Sequence, residues 1–252
     1  MTRRSPGVIA LVAGLIVAVA AGGYGLWYLF LREAGPPPVS LQTPAATTAT
    51  SSPSGASASP VPGTAGGGDL SGTWTVDQSI GSFSDFSDSF VGYRVQEQLA
   101  GVGANTAVGR TPDVTGSLTL AGSKITAVEV TATLTTLQSD DPRRDGRLAE
   151  QGIQTAQFPT ATFKLTAPID LGSVPGDGAT FKVTATGDLA LHGVTKSVQI
   201  ALQAHLAAGI VTVAGSLEIL FADYGIERPT SFAVLSVDDH GTMEFQLQLR
   251  HA

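Results

Sequence analysis

Residues 181–206, FKVTATGDLALHGVTKSVQIALQAHL, constrain the fold more than any other stretch. Phe181, Val183, Ala185, Leu189 and Leu191 share one parity, and Val198, Ile200, Leu202, Ala204 and Leu206 share one parity in the run that follows. Period-two alternation marks half-buried strands, and the intervening His192-Gly193-Val194-Thr195 supplies a hairpin break. Strands average about five or six residues in globular proteins. Two much longer strands side by side suit a barrel with an elongated apolar interior.

The same period recurs along the chain. Trp74 and Val76 alternate with threonines. Val91, Tyr93, Val95, Glu97 and Leu99 share a parity. Val114–Leu120 and Ile125–Leu137 flank an Ala121-Gly122-Ser123 turn. Ala161, Phe163 and Leu165 form the inward set of 160–167, and 210–221 and 241–250 alternate in the same way, with Met243, Phe245, Leu247 and Leu249 on one face. About eight strands rich in Thr, Val, Leu and Ala predict an all-β, extended antiparallel barrel. Closure removes exposed strand edges, and about eight strands leave an interior wide enough for one slender ligand. Polar residues on the outward parity predict a barrel surrounded by water rather than lipid. One segment lacks the period, SDDPRRDGRLAEQGIQTAQFPTA, and Arg147–Ala156 is expected to form a short helix.

The first part of the chain is different. Residues 8–31 carry no charge and are long enough to span a bilayer core of about 20 residues. Arg3 and Arg4 precede the run, so the positive-inside rule places residues 1–7 in the cytoplasm and the C-terminal domain outside it. The competing reading is a cleavable signal with Ala18-Val19-Ala20 as its small-residue site; the apolar run continues well past that point, which favours an uncleaved anchor. Residues 35–68 are rich in Pro, Ser, Thr, Ala and Gly and are expected to be a disordered tether, because they cannot bury enough surface to offset ordering entropy. The organisation is therefore a cytoplasmic N-terminus (1–7), a transmembrane helix (8–31), a linker (35–68) and a barrel domain (70–252).

Composition excludes several chemistries. The 252 residues contain no cysteine, so disulfides, thiolate ligands and cysteine nucleophiles are absent. Eleven of the 14 Lys and Arg and 20 of the 21 Asp and Glu follow Gly68, which leaves the domain at net −9 and disfavours nucleic acid as a partner. No two of the four histidines stand at i, i+2 or i, i+4, so a metal site has no sequence support. Gly101-Val102-Gly103 lacks the remaining glycine of a dinucleotide loop, and no G-x-S-x-G elbow exists.

Several motifs, taken together, resemble the YceI-like family of exported, lipocalin-like barrels. They are Trp74-Thr75-Val76-Asp77, Val91-Gly92-Tyr93-Arg94-Val95, Val114-Thr115-Gly116-Ser117-Leu118, Arg144-Asp145 followed by Phe158-Pro159-Thr160-Ala161-Thr162-Phe163, Leu191-His192-Gly193-Val194-Thr195-Lys196, and Asp223-Tyr224-Gly225-Ile226. The resemblance implies a barrel around a polyisoprenoid or similar amphipathic lipid, with no catalysis established for the family as a whole; no cofactor and no enzyme activity are expected of this chain. Where many members read Arg-Asp-x-His-Leu, this chain reads Arg144-Asp145-Gly146-Arg147-Leu148, and Ala100–Pro112 (AGVGANTAVGRTP) stands in place of a shorter loop of simpler members. On strand parity the expected apolar lining is Phe163, Phe181, Val183, Leu189, Leu191, Val198, Ile200, Leu217 and Met243. Small inward residues, Ala132, Ala161, Ala185, Gly187, Ala204 and Gly215, are expected to leave room down the middle. Arg144, Asp145 and His192 are the candidates for a polar gate; as a turn residue, His192 is also expected to bond nearby backbone. The expected function is sequestration or carriage of a long-chain isoprenoid by a membrane-tethered, extracytoplasmic domain. An enzyme acting on a bound lipid or quinone, and an envelope stress or interaction domain with a dry core, stay open.

Overall fold

The computed structural model describes residues 36–41, 70–229 and 231–252. The run 8–31, expected to be an anchor, and most of the expected linker lie outside the described residues. No helix among the described residues is long and apolar enough to cross a membrane.

Among the described residues thirteen strands follow one another: β1 (Gly72–Val76), β2 (Phe90–Leu99), β3 (Gly103–Thr111), β4 (Val114–Ala121), β5 (Lys124–Thr133), β6 (Gln138–Ser139), β7 (Thr160–Leu165), β8 (Ile169–Asp170), β9 (Thr180–Leu191), β10 (Val194–Ala207), β11 (Ile210–Leu220), β12 (Val234–Val237) and β13 (His240–His251). Pairing runs β1-β4-β5-β7-β9-β10-β11-β13, and β13 returns to β1 with Trp74 opposite His251 and Val76 opposite Leu249. Eight antiparallel strands thus close a barrel. β13 forks: its downstream end pairs β1, while Thr242–Gln246 pair β2, which carries β3 and the two-residue β6.

The long hairpin is β9–β10, in unbroken register from Leu191 opposite Val194 to Thr180 opposite His205. Its two-residue turn is His192-Gly193, both at positive φ (51° and 74°). Ala208-Gly209 makes the same kind of turn between β10 and β11, at 50° and 73°. Two successive positive-φ residues match the right-handed twist of the flanking strands, which is why glycine takes the second place in both.

Two sequence expectations are corrected. Ala100–Pro112 is not a loop, since Gly103–Thr111 pairs β2 residue for residue, from Leu99 opposite Gly103 to Val91 opposite Thr111. Its Gly and Ala content hid the strand; pairing with β2 and packing under its aromatics decide the conformation. The helix begins earlier than expected. Helix α1 spans Pro142–Arg147, capped by Asp141, whose side chain accepts from Arg143 N at 2.9 Å, with Pro142 at the first helical position. It runs on into a π-helical turn at Leu148–Gly152.

The core is in three clusters. One surrounds Trp74, Val114, Leu120, Leu206, Leu247 and Leu249, at the end where β9 begins. The other two, built on Leu134, Ile153 and Ala161 and on Leu189, Ile219 and Tyr224, fill the end where the His192-Gly193 turn lies.

Candidate functional site: an apolar barrel cavity

A cavity of about 160 Å³ runs inside the barrel and presents only apolar atoms. Every strand of the closed ring contributes: Trp74 from β1, Leu118 and Leu120 from β4, Val128, Val130 and Ala132 from β5, Phe163 from β7, Val183, Ala185 and Leu189 from β9, Ile200, Leu202 and Ala204 from β10, Val211 and Val213 from β11, and Met243, Phe245 and Leu247 from β13. Along β9 the lining extends from Phe181 to Leu189, about 26 Å of strand at ~3.3 Å per residue. Leu70, Leu171 and Pro175 line it at the end where β9 begins. Apolar cavities of roughly 150 Å³ stay dry and admit apolar molecules.

Six of the nine expected lining residues line this cavity: Phe163, Phe181, Val183, Leu189, Ile200 and Met243. Leu191, Val198 and Leu217 face inward but lie beyond it, packed among the two core clusters of the His192 end. Alternation reports which face a residue is on and says nothing of its depth. Trp74, Leu202 and Phe245 were missed as lining although their parity was legible.

The small inward residues play two roles. Ala132, Ala161, Ala185 and Ala204 do widen the cavity. The glycines do not. A Cβ on Gly187 would stand 2.4 Å from Cζ of Phe163, and one on Gly215 would stand 2.7 Å from Cζ of Phe245. Gly109 receives the Tyr93 ring in the same way, at 2.4 Å from Cε1. These glycines are seats for aromatic rings, which correct the expectation that they leave the lumen open.

None of the gate candidates lines the cavity. Arg144 lies in a polar cluster with Glu97, which faces inward from β2 and is buried. Glu97 Oε1 accepts from Arg144 Nη2 at 2.8 Å and from Asn105 Nδ2 at 2.7 Å. Arg144 also pairs with Asp140. Burial alone would lower the Arg144 pKa; the Glu97 and Asp140 carboxylates outweigh it and raise it. Asp145 accepts from the backbone N of Ser139 at 3.1 Å and from its Oγ at 2.6 Å, tying α1 to β6. The Tyr93 hydroxyl is buried beside this cluster. Desolvation pushes its pKa up, opposed by Arg144 and reinforced by Asp145 and Glu97. His192 is held elsewhere: Nδ1 donates to the Tyr224 carbonyl at 2.8 Å, its ring lies 4.4 Å from that of Phe158, and Nε2 is buried without a hydrogen-bond partner. The backbone bond expected of a turn histidine is therefore present. Glu97 had a sequence signal, a carboxylate among Val91, Tyr93, Val95 and Leu99 on an inward parity. Among the described residues no cluster of His, Asp and Glu is arranged to hold a metal ion.

The model of the YceI-like domain matches residues 74–249. The chain belongs to the YceI-like family. A UPF0312 protein of Shewanella denitrificans is 32% identical over 147 residues, 53% of this chain and 71% of the relative. Among solved structures, a polyisoprenoid binding domain from Saccharophagus degradans, implicated in plant cell wall breakdown, superposes with TM-score 0.54 at 20% identity, covering 71% of this chain and 98% of that one. Burkholderia cenocepacia BcnA superposes with TM-score 0.50 at 19% identity, over 69% and 98% of the two chains. At such identities the structural likeness shows the fold. The YceI-like barrel of this chain is thus a closed ring of eight strands around an apolar lumen, with Arg144, Asp145 and His192 outside the lining.

Proposed function

We propose that this chain binds a long-chain isoprenoid or similar amphipathic lipid inside its barrel, and that it sequesters or carries the lipid without transforming it. The observation that carries the reading is the cavity, to which every strand of the ring presents carbon. Burying prenyl surface there contributes on the order of 25 cal/mol per Å², so each ~100 Å² adds about 2.5 kcal/mol. The Saccharophagus relative, described as polyisoprenoid binding, supports the same class of ligand. A lipid enzyme needs an acid or base within about 3 Å of the reacting group. The candidate polar residues Arg144, Asp145 and His192 lie outside the lining, which supports binding over turnover. The uncharged run 8–31 behind Arg3 and Arg4 supports a single-pass anchor with the barrel outside the cytoplasm.

The test is native mass spectrometry of the full chain extracted gently from membranes. A bound prenyl lipid of unchanged mass after incubation is expected, and Ala185→Trp should reduce its occupancy with the β-sheet signal intact. Protein that stays bare and takes up no added polyprenol would overturn the binding reading. A mass change that needs Asp145 or His192 would replace it with an enzyme. Protease added to intact spheroplasts should remove the barrel; full protection would refute export.

A further inference from the structure

Glu244 faces out of the barrel, out of phase with the lining residues Met243 and Phe245, yet it is only 1% exposed. Arg110, itself outward on β3, forks onto Glu244 Oε1 through Nη2 at 2.6 Å and Nε at 3.0 Å. Arg94 reaches Oε2 at 3.4 Å. The Arg110 guanidinium lies 4.5 Å and 4.2 Å from the ring centroids of Phe86 and Phe90. Nη2 also donates to the carbonyl of Pro37 at 3.2 Å, 73 residues away in sequence.

Beyond Pro37, Val39 and Ser40 form one side of a groove on the outer wall, whose other sides are Lys182, Thr184, Ala201, Gln203, Ala214 and Ser216. The register explains the path. Gly92, Glu244, Ser216, Ala201 and Thr184 are directly opposite one another in turn across β2, β13, β11, β10 and β9. The groove lies over this transverse row and the next one, Ala214, Gln203 and Lys182. The small side chains of Ala201, Ala214 and Ser216 let a backbone approach, and Ala214 is 3% exposed although it faces outward. Pro36-Pro37-Pro38 favours an extended conformation before docking, which lowers the entropy cost.

We propose that Pro37–Ser40 is an intramolecular strap, held by Arg110 and running along the groove over Ala201, Ala214 and Ser216. The stretch 35–68 is then not one spacer. In sequence, residues 42–69 separate the strap from Leu70, and only residues 32–36 separate it from the apolar run. With that run taken as the membrane anchor, as in the function proposed above, five residues reach at most about 17 Å. A free spacer of residues 32–68 would average about 33 Å end to end. On that reading the strap shortens the tether available between anchor and barrel; the docking itself is independent of the anchor.

The chain has no native cysteine, so engineered thiols report cleanly. In the full chain, Ser40→Cys with Ser216→Cys should form a disulfide at least tenfold faster than Ser54→Cys with Ser216→Cys, and Val39→Asp should abolish the difference. Equal rates would overturn the strap. For its consequence, a fluorophore on Ser173→Cys is read by energy transfer to acceptor lipids in phosphatidylcholine vesicles. Ten Gly/Ser residues inserted after Thr50 should leave transfer unchanged, and the same insertion after Glu33 should lower it. Equal losses from both insertions would overturn the strap. Failure of the chain to float with vesicles would refute the anchor alone, because the disulfide rates still decide the docking.

Discussion

Replacing Gly215 with alanine should both destabilise the barrel and weaken lipid binding. The added Cβ would lie 2.7 Å from Phe245 Cζ, 2.8 Å from Leu202 Cδ2 and 3.1 Å from the Ala201 carbonyl, where ordinary contact begins at 3.4 Å. Both side chains must give by about 0.6–0.7 Å, and the closed sheet leaves the lumen as their direction of escape. Overpacking of this kind costs about 1–3 kcal/mol. For a domain of this size each kcal/mol shifts Tm by about 2–4 °C, so the expected drop is about 2–12 °C. Phe245 and Leu202 both line the cavity, so their movement narrows it and affinity for a polyprenol should fall in step. The control is Phe245→Leu, which vacates the glycine's seat. In that background Gly215→Ala should cost at least ~1 kcal/mol less, a coupling read from a double-mutant cycle in urea. If Gly215→Ala matches the parent in stability and in affinity, the ring does not sit on Gly215 and the reasoning about glycine seats is wrong.

Glu244→Gln should cost about 3–5 kcal/mol in urea unfolding, because it strips the carboxylate from a buried Arg110 and its neighbour Arg94; a loss under 1 kcal/mol would show the pair to be solvated. Asp88, 6% exposed with Oδ1 lacking a hydrogen bond, has its pKa raised by burial. A raised carboxyl stabilises below its unfolded value of about 3.9 and loses that contribution as pH rises through its folded value. Asp88→Asn should therefore be more stable than the parent at pH 7, with the advantage gone below about pH 4; equal urea midpoints at pH 7 would refute this. Trp74 lines the cavity and Trp27 is the other tryptophan, so in a Trp27→Phe chain the emission should shift on adding a polyprenol. An unchanged spectrum at saturating ligand would place the lipid elsewhere.

Much of the fold was legible because a strand writes its two faces into alternate residues. The inward sets of β9, β10, β11 and β13 follow from parity, and so does the hairpin at His192-Gly193. β3 was not legible. Its glycines and alanines carry no pattern of their own, and they are a strand because Tyr93 needs Gly109 beneath its ring. The site was legible to the same extent: parity placed Phe163, Val183 and Met243 on the wall, and it equally admitted Leu191, Val198 and Leu217, which fill the closed end.

By itself, the sequence determined the class of the domain, the strand faces, the absence of thiol chemistry and the charge of the surface, because these depend on neighbours one to a few residues apart. Tertiary structure decided what depends on residues far apart in the chain. It set where along the barrel the lumen stops, and it chose the glycines that are seats rather than space. It joined Glu97 to Arg144 across 47 residues and Glu244 to Arg110 across 134. It also brought Pro37 back onto the wall at Arg110. Each of these is a meeting of side chains or backbone across strand register and barrel closure, and a periodicity of two carries no information about which strand will stand opposite.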